Sequence, residues 1–398
     1  MHKKAKKLLS VSLESKFAVT AKKLNRKKKK IISLGLGEPL FNTPNLIISS
    51  AYQAMKKGYT KYSDSRGLYE LRKRISIKLK KENNISVNSK QIVITPGAKM
   101  ALSLALSSIL EPGDEVINIL PCYPSFPQQV IIANSYVKLI NLNLNKNDFS
   151  IDFVRLKKIL SKRTKVIIIN FPHNPTGRML TLEEIIKLKK ILSKNNCWII
   201  SDEIYEYLNF SGKKHFSIAS DKNFENRCIT INGFSKAFSM TGWRIGYVAT
   251  KNKIINLINK IHQHMNTNVP TFIQKAAIKA IKMQRNHMLR YNSQLKLNND
   301  YIVKSLKDKS KLLSIFPSDG GLFAFMNIKK TGYNSDKFCD QLLKRYKVAS
   351  IPGYYFGKRW DDHVRISLIE NKFRFKQAVD RLLKFEKLLI KNKIYKQN

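Results

Sequence analysis

Gln91-Ile-Val-Ile-Thr-Pro-Gly-Ala-Lys-Met-Ala-Leu-Ser-Leu-Ala-Leu-Ser-Ser-Ile-Leu110 contains one full repeat of the pattern that decides the fold. The β-branched run from Gln91 to Thr95 predicts a strand, Pro96-Gly97-Ala98 breaks it, and Lys99 to Leu110 continues with apolar residues at helical spacing. Strand character returns at Glu115 to Leu120. It recurs at Tyr136 to Leu142, Lys165 to Asn170, Trp198 to Ser201 and Cys228 to Ile231, with a helix predicted over Leu182 to Lys194. Strands alternating with helices imply an α/β fold: a largely parallel sheet covered by helices on both faces.

Outside this block the pattern changes. Residues 1–30 read as one or two lysine-rich helical turns, followed by Leu34-Gly-Leu-Gly-Glu-Pro39, whose glycines and proline suit an extended backbone lining a site. Helices are predicted over Asn45 to Lys57 and Leu68 to Lys81, with an irregular loop from Tyr59 to Gly67 between them. Beyond Ile254 the chain turns helical, and one long helix is expected from about Ala276 to about Leu306. Then come a glycine turn and strand within Phe316 to Ile328, a helix over Phe338 to Tyr346, and short strands at Val348 to Gly353 and Val364 to Leu368. A last helix covers Phe373 to Leu389. The division expected is 1–45 as the N-terminal segment of a small domain, 46–285 as a large domain and 286–398 as the rest of the small one.

Among 398 residues, 74 Lys plus Arg against 27 Asp plus Glu give a net charge of +47, which raises polyanion binding as a possibility. The excess is spread along the whole chain as Lys among many Asn and Ile, as A+T-rich codons would produce. The Lys27 to Lys30 run has no nucleic-acid motif around it. No specific nucleic-acid partner is expected. Cys122, Cys197, Cys228 and Cys339 lie far apart without CxxC spacing, which suits reduced thiols and a cytoplasmic location. No apolar run approaches a membrane span, and His262-x-His264 has no carboxylate or thiol close by, so neither membrane nor metal is expected.

In parallel sheets ligands sit beyond the carboxyl ends of the strands. The residues in those places are Gly97-Ala98-Lys99, Tyr123, Asn174 of Asn174-Pro-Thr-Gly177, Asp202 with Tyr205, and Ser235-Lys236. Any one is an ordinary turn residue; five polar or aromatic groups on one edge are hard to read as turns. The stretch Asn232-Gly-Phe-Ser-Lys-Ala-Phe-Ser-Met-Thr-Gly-Trp-Arg-Ile-Gly-Tyr247 places Lys236 after an apolar strand and Arg244 on the next one. A lysine that loses its charge by burial can form a Schiff base, and an arginine can hold an anion. An aldehyde bearing a phosphate would satisfy both, which makes pyridoxal 5'-phosphate the first hypothesis. Arg365, inside an apolar strand, needs an anionic partner; Glu370 and Asp362 are internal alternatives to a substrate.

Taken together, Ser235-Lys-x-Phe-x-Met-Thr-Gly-Trp-Arg-x-Gly246, Ser201-Asp-Glu-x-Tyr205 and Asn174-Pro-Thr-Gly177 resemble the class I/II aminotransferases, the fold-type-I pyridoxal-phosphate enzymes, from about Leu9 to Leu389. The resemblance implies a large domain with a mostly parallel seven-stranded sheet flanked by helices, plus a smaller α+β domain from the N- and C-terminal segments. By position it implies Lys236 as the Schiff-base lysine and proton carrier, Asp202 as partner of the pyridine nitrogen, and Asn174 and Tyr205 as partners of the phenolic oxygen. Tyr123 would stack on the ring. Ala98, Lys99, Ser235 and Arg244 would surround the phosphate, joined by Tyr62 from the neighbouring subunit of a homodimer. Arg365, with Gly37 and Asn174, would receive the substrate α-carboxylate. Leu40 and Glu14 depart from the residues common in the family.

The reaction implied is a ping-pong transfer of an amino group from an L-amino acid to a 2-oxo acid. Lys99 resembles a lysine that receives a distal carboxylate in some members, which favours aspartate or glutamate. It could equally enrich the phosphate end with charge. Aromatic or alanine-type substrates stay open, with Phe323, Tyr354 and Phe356 as a candidate pocket, as do C–S lyase chemistry on the same fold and a non-catalytic basic binder.

Overall fold

The computed structural model describes residues 31–283 and 286–394. The expected N-terminal turns, the Lys27 to Lys30 run and Glu14 lie outside them. The chain opens with β1 (Ile32–Ser33), α1 (Asn45–Lys56), α2 (Tyr69–Asn83), β2 (Ile92–Thr95), α3 (Ala98–Ile109), β3 (Glu115–Leu120), α4 (Ser125–Ala133) and β4 (Lys138–Asn143). It goes on through α5 (Phe153–Ile159), β5 (Thr164–Asn170), α6 (Leu182–Leu192), β6 (Trp198–Asp202), β7 (Cys228–Gly233), β8 (Gly246–Ala249), α7 (Ile254–Asn266), α8 (Thr271–Lys282) and α9 (Asn286–Lys309). It ends with β9 (Ser314–Ile315), β10 (Phe323–Asn327), α10 (Ser335–Tyr346), β11 (Val348–Ala349), β12 (Ile351–Pro352), β13 (His363–Ser367) and α11 (Lys372–Ile394).

The large sheet has seven strands in the order β2-β8-β7-β6-β5-β3-β4, and only β8 runs antiparallel to its neighbours. Its inner strands are buried and mostly apolar because both faces are covered. Alternation along the strands divides them between two cores: Ile117, Ile167 and Ile199 point into one, and Val116, Val166, Ile168, Ile200 and Ile231 into the other. A third core lies under the antiparallel sheet β12-β13-β10-β9, where Leu322, Ala324, Met326, Val364 and Ile366 meet Phe338, Phe375 and Phe385. β1 pairs in parallel with β11, joining the N-terminal segment to this C-terminal unit.

Two expectations are corrected. The long helix from Ala276 to Leu306 is two helices: α8 stops where Met283 turns extended (ψ 139°), and α9 starts at Asn286. Arg244 is not on a strand; it sits in a turn with φ 53°, two residues before β8. Two helices escaped the reading. α4 begins behind Pro124 and carries Pro127 in its first turn, where proline is tolerated although it reads as a loop signal. The short α5 depends on its Asp152 cap, whose side chain accepts from Arg155 N. All four cysteines are buried and unbridged. No helix among the described residues is long and apolar enough to cross a membrane.

Candidate active site

The carboxyl ends of β5, β6 and β7 face the start of α3 and the 35–38 segment across a cavity of about 570 Å³. Gly37, Ala98, Lys99, Tyr123, Asn174, Asp202, Tyr205, Ser235, Lys236 and Arg244 all line it. Residues predicted from separate strand ends thus meet at one place, as the carboxyl-end rule requires.

α3 starts directly behind Gly97, which has φ 82° and no side chain to cap the first turn. A Cβ at Gly97 would meet Arg244 Nη2 at 2.6 Å, and one at Gly246 would meet Ala98 N at 2.7 Å. Gly246 is therefore needed for β8 to close on the helix start, and Gly97 for the left-handed backbone that begins the helix. The result is a helix N-terminus, an arginine, Lys99 and Ser235 around one cavity, a donor set suited to an anion. Arg244 is fixed by bonds from Nη1 to Thr241 O (2.9 Å) and from Nη2 to Pro96 O (3.5 Å).

Asp202 supplies the opposite polarity. Burial pushes its carboxyl up to about 7; the amide of Ile204 (3.1 Å) and the charge of Lys236 pull the other way, and Glu203 adds to the rise. A carboxyl this costly to ionise alone is matched to a cationic partner such as a protonated ring nitrogen. Lys236 Nζ donates to Gly37 O at 2.7 Å, tying the turn after β7 to the N-terminal segment. Lys99 Nζ lies 5.6 Å from the centre of the Tyr123 ring, and Tyr205 packs edge-on against Phe323.

Asn170 was missed, although the strand-end rule could have found it. From the last position of β5 it accepts from Asn174 N (3.1 Å) and donates to Asp202 O (2.9 Å), so one side chain fixes the spacing of two site loops. Glu38 and Thr241, also missed, share a hydrogen bond of 3.3 Å on the cavity wall.

Two predicted residues lie outside the lining. Arg365 is fully buried, donating to Asn174 Oδ1 (3.2 Å) and Gly35 O (2.9 Å), with its guanidinium 3.9 Å from the Phe323 ring centre and 5.0 Å from that of Phe356. The internal carboxylates are otherwise engaged, Glu370 with Arg374 and Asp362 with Lys146 and His363. Tyr62, 87% exposed, stands in the loop between α1 and α2. Of the proposed aromatic pocket only Phe323 lines the cavity; Phe356 is buried behind it and Tyr354 is exposed.

The family model for aminotransferase class I and II matches residues 29–382. The chain belongs to the class I and II aminotransferases. This aminotransferase is 37% identical to the aspartate aminotransferase of Pyrococcus abyssi, over 92% of this chain and 93% of that one. It is 35% identical to aromatic-amino-acid aminotransferase 2 of Thermococcus litoralis, over 92% and 93%. The solved structure of Thermus thermophilus aspartate aminotransferase with maleate superposes with a TM-score of 0.91 at 28% identity, covering 96% of this chain and 99% of that one. Enzymes of this class depend on pyridoxal phosphate, and the anion-binding donors and the buried Asp202 carboxyl fit that cofactor.

Proposed function

We propose that this aminotransferase takes aspartate or glutamate as donor and a 2-oxo acid such as 2-oxoglutarate or oxaloacetate as acceptor. The observation that carries the reading is Lys99, whose ammonium shares the cavity with Lys236 and so offers a cation to a second carboxylate. The aspartate aminotransferase name of several relatives supports it. Phe323 on the cavity wall and the aromatic-type relative favour an aromatic substrate as the second reading.

Pyridoxal phosphate, when bound, supplies an electron sink for the carbanion left at the substrate Cα. Asp202 would hold a proton at the ring nitrogen, Asn174 and Tyr205 the phenolic oxygen, and Tyr123 the ring face. Ala98, Ser235 and Arg244 would hold the phosphate, leaving the Lys99 ammonium to the second carboxylate. Lys236 Nζ would be the covalent anchor and, once released, the base that takes the Cα proton. Its bond to Gly37 O sets the amine beside the residue that would touch the substrate carboxylate. Arg365 would receive that carboxylate in a two-point fork, fixing the Cα–H bond for Lys236. The present bonds of Arg365 to Asn174 and Gly35 use one N–H of each Nη, and the guanidinium carries five donors in all.

The unit 46–285 would act as the cofactor-binding domain, and 1–45 with 286–398 as the small domain that brings Gly37 and Arg365 to it. A cytoplasmic homodimer completes the proposal, with Tyr62 reaching the neighbour's phosphate. Turnover of a panel of amino donors against 2-oxoglutarate tests the substrate reading. Aspartate should lead, and Lys99→Met should raise its KM roughly tenfold or more while sparing phenylalanine, as expected for losing one charged hydrogen bond. If phenylalanine leads in the wild type, the aromatic reading replaces it; pyruvate and thiol released from a sulfur amino acid without glutamate would point to elimination.

A further inference from the structure

A second cavity, of about 550 Å³, opens where the end of α2 and the start of α6 meet the loop at 211–217. None of the site residues discussed above lines it. Leu180, Leu182, Ile185 and Phe216 give it an apolar wall, while Lys213, Lys214 and His215 bring positive charge.

His215 is held from behind. Its Nε2 lies 3.0 Å from Glu203 Oε2, and Glu203, 1% exposed, also accepts from Ser217 Oγ (2.6 Å), Ser201 Oγ (2.9 Å) and Asn83 Nδ2 (3.3 Å). Among the described residues, Nδ1 of His215 and Nζ of Lys214 make no hydrogen bond or ion pair. Burial draws the imidazole down, but the hydrogen bond and charge of Glu203, with Glu206 beyond it, carry it above its ordinary value, which favours a donor at Nδ1. Lys213 pairs with Asp319 at 2.8 Å.

Two of these cations have acidic partners, His215 in Glu203 and Lys213 in Asp319, and among the described residues Lys214 has none. Glu82 on the wall accepts from Tyr207 (2.6 Å) and lies 4.0 Å from Lys78. Glu203, Glu206 and His215 are grouped closely enough for a metal ion, yet the Lys78 ammonium already bonds Glu206 and Asn83 there. A cation is built into the cluster. The start of α6 contributes nothing either, because Thr181 and Glu184 satisfy it reciprocally in a capping box.

An apolar cavity with a few convergent cationic donors is the chemistry of a small amphipathic anion. We propose that this cavity is a second small-molecule site, taking a monocarboxylate with a compact apolar body whose carboxylate meets His215 and Lys214. Glu203 directly follows Asp202 in the chain, so the site adjoins the back of the catalytic loop. The proposal does not depend on which amino acid the enzyme uses.

Calorimetric titration of the holoenzyme with 3-phenylpropanoate tests it. One class of site per chain is expected in the second cavity, whether or not the catalytic cavity adds another. Ile185→Trp, which fills the second cavity, should weaken that class at least roughly tenfold. Lys214→Glu, at an exposed position, should weaken the same class roughly tenfold by reversing the rim charge. Neither should change any other class or turnover. Absence of any class that the two substitutions weaken overturns the proposal; should Ile185→Trp misfold, Lys214→Glu alone decides. Failure of the catalytic reading would show separately, as absent turnover in the wild type.

Discussion

Asp202 shows how a site residue works against the stability of the chain that carries it. Its folded value of about 7 exceeds the ordinary 3.8, so the folded protein binds the proton more tightly than the unfolded one. That preference stabilises the fold below the ordinary value and is lost as pH rises toward 7; above 7 the cofactor-free protein bears the cost of a buried carboxylate. Three units at about 1.4 kcal/mol each bound the effect at roughly 4 kcal/mol. Asp202→Asn should keep the acceptor for Ile204 N while removing the charge. Denaturant melts of the cofactor-free protein should therefore show the variant more stable than wild type at pH 8 and nearly equal at pH 4. Its cofactor affinity should fall by more than roughly tenfold, because the ring nitrogen loses a charged partner. Equal stability of the two proteins at pH 8 would mean that the Ile204 amide and Lys236 offset the burial of the Asp202 charge.

At the level of elements, legibility followed burial. β3, β5, β6 and β7 were readable because strands covered on both faces are continuous apolar runs, and the site residues followed from where those runs end. Arg244 sits between apolar Trp243 and Ile245, a strand-like pattern; the left-handed φ of 53° that it adopts instead has no signal in that pattern. Arg365 was legible as a buried arginine, but its bonds to Asn174 and Gly35 span more of the chain than any spacing argument reaches. Asn118 goes against its own element. In the middle of β3, 1% exposed, neither side-chain polar atom has a hydrogen-bond partner among the described residues. Leaving an amide so costs about 1–3 kcal/mol, and a strand favours β-branched residues. Asn118→Val should accordingly raise the unfolding midpoint without changing KM. A fall in stability would show that the amide has a partner, such as a buried water.

On the scale of the whole molecule, +47 charges spread over the chain oppose self-association, so a dimer must offer a concentrated apolar surface in return. One is present. Leu40, Leu46, Ile48, Tyr52, Met55 and Tyr69 are all exposed within the same stretch of chain that bears Tyr62, more than scattered surface apolar residues account for. If this face joins two copies and Tyr62 completes the neighbour's phosphate site, each active site combines Lys236 of one chain with Tyr62 of the other. Tyr62→Ala alone should then bind cofactor weakly, and Lys236→Ala alone should not turn over. After subunit exchange in an equal mixture, half the dimers are hybrids, and each hybrid holds one site with both native residues and one with neither. Activity at limiting cofactor should recover to roughly a quarter of wild type. Were Tyr62 to serve its own chain's site, every site in the mixture would keep one lesion. No recovery would then appear even though sedimentation showed dimers, and the shared-site arrangement would have to be abandoned.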